Sequence, residues 1–201
     1  MPIRLLIPLL AVLLTTGGCA AAEPAAPDEG GETVHWYEDG ERRTLYVVPG
    51  RVVELGRGSA AAESAVRSAR PGAEVAAEHR GARIWSVPEE GLGTRAATDL
   101  QHAAGSDARF SPLLRTGPEG GAEMALAGGV LVTLREDWPA ERARRWLKAE
   151  GYTIEREYRF GNRFLVATPA GPEAAEVARD LHEAEPVTGA SPNLWQPLET
   201  R

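Results

Sequence analysis

The chain has 201 residues, 43% of them hydrophobic, and a formal net charge of −7. This length suits one or two small domains, and this apolar content excludes wholesale disorder. The acidic balance, with no clustered basic stretch, gives nucleic acid no electrostatic footprint.

The first twenty residues, "MPIRLLIPLLAVLLTTGGCA", place one basic residue, Arg4, before an uncharged apolar run. The run has the length of a signal-peptide core and is too short for a convincing membrane span. Small residues then lead into Cys19, the only cysteine. This resembles the lipobox of bacterial lipoproteins, although Thr16 stands where leucine is usual. It implies acylation of Cys19 and an exported protein, lipid-anchored to a membrane and facing the periplasm or exterior. Cleavage after Ala22 is the competing reading. With Cys19 acylated, no thiol or disulfide remains in the folded part. Residues 1–19 are thus read as the leader, and 20–32, rich in Ala, Pro, Gly and acid, as a flexible tether.

"TVHWYEDGERRTLYVV" predicts a β-hairpin turning at Asp39-Gly40. "GRVVEL" predicts a strand, and the next segment a helix capped by Ser59 with Ala62, Val66 and Ala69 inward. A hairpin turning at Gly81, a helix capped by Thr94 and the strand "ARFSPLL" follow. Residues 33–116 are taken as the hairpin plus a first module, and 117–127 as a linker. The second module, 128–201, repeats the order. "GVLVTL" is a strand with Val130, Val132 and Leu134 on one face. A helix with Asp137 as N-cap buries Ala143, Trp146 and Leu147 and stops at Gly151. A hairpin turns at "RFGN", a helix opens at Pro172, and "VTGAS" is a last short strand. The order β-α-β-β-α-β predicts an α+β fold of two tandem ferredoxin-like plaits, each an antiparallel sheet with two helices on one face. The halves register at a spacing of 80, which pairs Arg83 with Arg163, His102 with His182, and Ser111 with Ser191.

No signature of enzyme chemistry stands out. There is no Gly-x-Ser-x-Gly elbow, phosphate loop or dinucleotide fingerprint. His35, His79, His102 and His182 have no metal-ligand spacing, so neither metal nor cofactor is expected. Asn162 and Arg163 evoke a phosphate cradle, but their position in a hairpin turn favours turn chemistry. Arg142, Arg144, Arg145 and Lys148 read as a solvated helix face.

The second module, from "GVLVTLRE" through "PAERARRWLKAEGY", "FGNRFLVATPAG" and "EAAEVARDLHE" to the closing "VTGASPN", resembles the propeptides of subtilisin-like serine proteases and their free-standing inhibitor relatives. The resemblance implies a non-catalytic protein that inhibits such a protease or assists its folding. The open sheet face would pack on protease helices. The tail Asn193, Leu194, Trp195, Gln196, Pro197, Leu198, Glu199, Thr200 and Arg201 would enter the substrate cleft as an added strand. The alternative is a structural or scaffold lipoprotein with no protease partner.

Overall fold

The computed structural model describes residues 31–56, 58–88, 93–105 and 108–197. Cys19, its leader and most of the tether lie outside them. Nine strands and four helices follow in the order β1 (Thr33–Glu38), β2 (Glu41–Leu55), α1 (Ala60–Ala69), β3 (Glu74–His79), β4 (Ala82–Ser86), α2 (Gly93–Ala104), β5 (Arg109–Arg115), β6 (Glu123–Leu134), α3 (Ala140–Ala149), β7 (Ile154–Glu157), β8 (Arg163–Val166), α4 (Glu173–His182) and β9 (Val187–Trp195). The fold is α+β, with antiparallel strand pairing throughout the described residues.

The strands form one sheet, β3-β4-β2-β5-β6-β8-β7, with β1 added beside β2 and β9 beside β6. The first half therefore runs β3-β4-β2-β5, and the second runs β7-β8-β6-β9. Each half packs two helices on one side. Val52, Trp85 and Phe110 meet Ala62 and Val66 of α1 and Ala96, Ala97 and Leu100 of α2. In the second half, Val130, Val132, Phe164 and Val166 meet Ala143 and Leu147 of α3 and Ala174, Ala178 and Leu181 of α4.

The terminal hairpin does not stay with the half that follows it in sequence. Val34 and Trp36 of β1, with Leu45 and Val47 of β2, join the core of the second half. Arg179 of α4 donates a hydrogen bond to the His35 carbonyl at 2.9 Å, and Tyr37 stacks on His182 at 5.3 Å. Burial, then the charges of Arg42 and Arg179, lower the His35 pKa. At the turn, Asp39 and Gly40 both take positive φ, as an Asp-Gly hairpin requires.

Several helix ends differ from expectation. Ser59 caps α1 as expected, its Oγ accepting from the Ala62 amide at 2.9 Å. Asp137 does not cap α3: Arg135, two residues back, engages both of its carboxylate oxygens at 3.0 and 2.9 Å, and Pro139 occupies the cap position without a side-chain bond. Thr94 lies inside α2, and its amide donates to the Glu32 carboxylate at 3.3 Å.

The two halves share the element order β-α-β-β-α-β, but their buried positions do not keep one spacing. The buried positions of α2 are Gly93, Ala96, Ala97 and Leu100 and those of α4 are Ala174, Ala175, Ala178 and Leu181; a spacing of 80 superimposes none of them, so burial does not support the pairing of His102 with His182. Ser111 pairs with Val53, and Ser191 pairs with Leu131, so these two serines keep the spacing of 80. Arg83, opposite Glu54, and Arg163, opposite Thr133, lie on different faces. A one-residue slip along a strand reverses its faces, so the equivalence of Arg83 and Arg163 does not hold.

Candidate protein-binding face

A half-sheet with both helices on one side has a second, bare side, and the two halves treat theirs differently. On the first half this side carries Val53 and Leu55 of β2, Ala82 and Ile84 of β4, and Leu113 of β5. Residues of the second half cover it: Ala125, Ala127, Ala170 and Trp195 pack there. Polar contacts bind this covering down. The Leu126 amide donates to Ser111 Oγ at 2.9 Å, the Ser111 hydroxyl donates to the Pro112 carbonyl at 3.0 Å, and Arg109 donates to the Ala127 carbonyl at 3.3 Å. Trp195 also meets His79 edge-on, with ring centroids 5.8 Å apart.

On the second half no described residue packs across the middle of the corresponding side. Strand pairing sets Ser191, Leu131 and Leu165 in one row, and Gly189, Thr133 and Arg163 in the next. Leu131, Thr133, Leu165 and Ser191 are half-buried, and Arg163 is exposed. A recess of about 290 Å³ lies over Leu131, Thr133 and Ser191, with Glu38 and Asp39 of the β1–β2 turn at its rim. Glu38 Oε1 accepts from the Ser191 hydroxyl at 3.2 Å, fixing the turn against β9. The face is apolar at its middle, acidic at the β1–β2 rim and basic towards β7, where Arg156 pairs with Leu165.

The expected tail divides into three parts. Asn193, Leu194 and Trp195 belong to β9, which runs beyond the "VTGAS" segment. Leu194 and Trp195 pair with Leu126 and Ala125 of β6, and Asn193 donates to the Gly128 carbonyl at 3.0 Å. Gln196 and Pro197 follow as irregular chain. Leu198, Glu199, Thr200 and Arg201 lie outside the described residues. The expected last strand, "VTGAS", stops at Ser191. Here Pro192 is buried opposite Val130, and pairing resumes beyond it.

The remaining sequence candidates take structural roles. Asn162 donates to the Arg135 and Trp138 carbonyls at 2.8 and 2.7 Å, bracing the β7–β8 turn. On α3, Arg144 bridges to Glu141 and Glu157, and Arg142 lies over the Trp138 ring at 4.0 Å. The Arg144 hydrogen bond holds the Glu157 carboxyl below the ordinary range. Among the described residues no cluster of His, Cys, Asp and Glu fits a metal ion, and no helix is long and apolar enough to cross a membrane.

Sequence reasoning missed one buried group. Glu54 is 2% exposed and accepts from the Trp85 indole at 2.9 Å. Its nearest cation is Arg83 at 3.9 Å, which also reaches Glu63 and Glu78.

Compared with protein-family models, curated proteins and solved structures, the chain matches none.

Proposed function

We propose that this chain is an exported, Cys19-acylated envelope protein whose second half binds a subtilisin-like serine protease, inhibiting it or assisting its folding without catalysis of its own. In this reading each half is a ferredoxin-like plait, and the second acts as a free-standing propeptide-like module. One observation carries it: among the described residues, of the two bare sheet faces only that of the second half remains open, around Leu131 and Leu165. That half also holds the residues that resemble a propeptide. The strand order β7-β8-β6-β9 with two helices behind it supports the same reading.

A residue-level test follows. The full chain is assayed against a subtilisin-type protease beside two variants. Leu131→Asp places a charge on the open face, and a truncation after Pro197 removes only Leu198, Glu199, Thr200 and Arg201. Inhibition weakened at least about tenfold by Leu131→Asp, roughly 1.4 kcal/mol of binding, is expected if the face docks. Cleft insertion adds a comparable loss on truncation. Equal inhibition by all three rejects the open face and the tail end as the docking elements, and no inhibition by any rejects the inhibitor reading.

The scaffold alternative has an observation of its own. Asn193, Leu194 and Trp195 are engaged in β9, so they serve the sheet and the joint between the halves. Full stability with no inhibition of any subtilase is the outcome expected of a scaffold.

A further inference from the structure

Phe160 is 87% exposed, the most exposed of the large hydrophobic side chains in the described residues. It stands at the tip of the turn joining β7 to β8, beside Tyr158, which is 37% exposed. This turn is not a slack loop. The Tyr158 amide donates to the Arg163 carbonyl at 2.9 Å, and Asn162 bonds two carbonyls of the segment before α3. The aromatic pair is therefore held outward by a braced hairpin. Such a pair costs free energy in water unless something apolar receives it.

Charge distinguishes what receives it. Over 135–163 there are eight Arg and Lys against six Asp and Glu, a surplus of two in a chain of formal charge −7. At the tip, Arg156, Arg159 and Arg163 are exposed, and none forms an ion pair with a described carboxylate. Glu157 is neutralised by Arg144 at 2.7 Å, which leaves Glu136 and Glu155 as the nearby acids against the three arginines of the tip. A protruding Phe with a Tyr beside it, ringed by arginines, matches the boundary of an anionic bilayer. The ring enters the acyl boundary, the phenol stays at headgroup level, and the guanidinium groups meet phosphate.

We infer that the β7–β8 turn is a peripheral membrane contact that dips Phe160 and Tyr158 into an anionic lipid surface, steered by Arg156 and Arg159. This contact is separate from the expected acyl anchor and independent of the protease reading. It would fix how the folded part lies on the membrane, with the open face of the second half standing beside the bilayer.

The test uses the full chain reconstituted in vesicles of phosphatidylcholine, and of phosphatidylcholine with phosphatidylglycerol. The N-terminal segment is the same in both, so a difference between them reads only the folded part. Amide hydrogen exchange is followed at 158–161. Slowing of several-fold in the anionic vesicles is expected, with the slowing abolished by Phe160→Ser. Arg156→Glu with Arg159→Glu should weaken the contact more than tenfold, since one basic side chain near an anionic surface is worth roughly a fivefold change. Exchange in β6 serves as the control that each variant is folded. Equal exchange at the tip in both vesicles, or slowing that survives Phe160→Ser, overturns the inference.

Discussion

Glu54 sits on β2 between Val53 and Leu55, and alternation alone would turn it towards water. It shares the face of Val52 and Trp85, which α1 and α2 cover, while the second half covers the opposite face at Val53 and Leu55. A carboxylate in such a place needs donors and a counter-charge. The Trp85 indole supplies the donor, and Arg83, lying over the Trp85 ring at 5.4 Å, supplies the charge. Replacing Arg83 with Met leaves Glu54 with a neutral donor only. We expect a loss of about 2–3 kcal/mol in urea denaturation, partly restored by adding Glu54→Gln. A double variant as unstable as Arg83→Met alone would show that the arginine stabilises through packing rather than charge. The strand itself was legible in "GRVVEL"; the fate of its glutamate was not, because no local pattern reports that Trp85 and Arg83 of β4 meet it beneath α1.

Elements were easiest to read where their signals are local. Ser59 caps its helix by accepting from the Ala62 amide, whereas Asp137 is taken by Arg135. Long strands were harder. β2 and β6 each span a break in register, between Val47 and Val52 and between Leu126 and Val130. The break in β6 is a bulge in which Ala127, Gly128 and Gly129 stand opposite Asn193 alone. Gly128 there has φ +82, and a Cβ would come within 2.9 Å of the Thr168 carbonyl and 3.0 Å of the Ala170 amide. Gly128→Ala is therefore expected to cost about 2 kcal/mol or more, by backbone strain and by collision together. A variant whose urea midpoint matches that of the parent would mean that the bulge relaxes freely. At the sheet's two ends, β3 and β7 also carry register shifts, at Val75/Ala77 and Ile154/Arg156. Such irregular edges discourage pairing with another chain.

At the scale of the whole molecule, the halves are joined through the bare face of the first. The β6 bulge turns the chain from that face, where Ala125 and Ala127 pack, into the second half's own sheet. Trp195 returns along β9 to complete the cover. Trp195→Ala should cost about 2 kcal/mol, less than a fully buried tryptophan because the ring is half-exposed, and should lower the urea midpoint. Truncation after Pro197 should leave that midpoint unchanged, so a shift there would extend the joint beyond β9. Each half's element order was readable in advance, since hydrophobic periodicity is local. The docking was not, because it depends on small residues such as Ala125 and Ala127, which carry no strong signal of their own.

The terminal hairpin has a consequence for the order in which the chain can fold. Its apolar residues Val34, Trp36, Leu45 and Val47 find their partners in α4 and the sheet behind it, and its polar contacts span 144 residues to Arg179 and 153 to Ser191. Such distant closures are slow and are rewarded only late. The first of the described strands to leave the ribosome is thus among the last to be satisfied. Until Leu181 and Ala190 arrive, the nascent chain leaves Trp36 unsheltered, and the interval between synthesis of the two ends is when it is most exposed to aggregation.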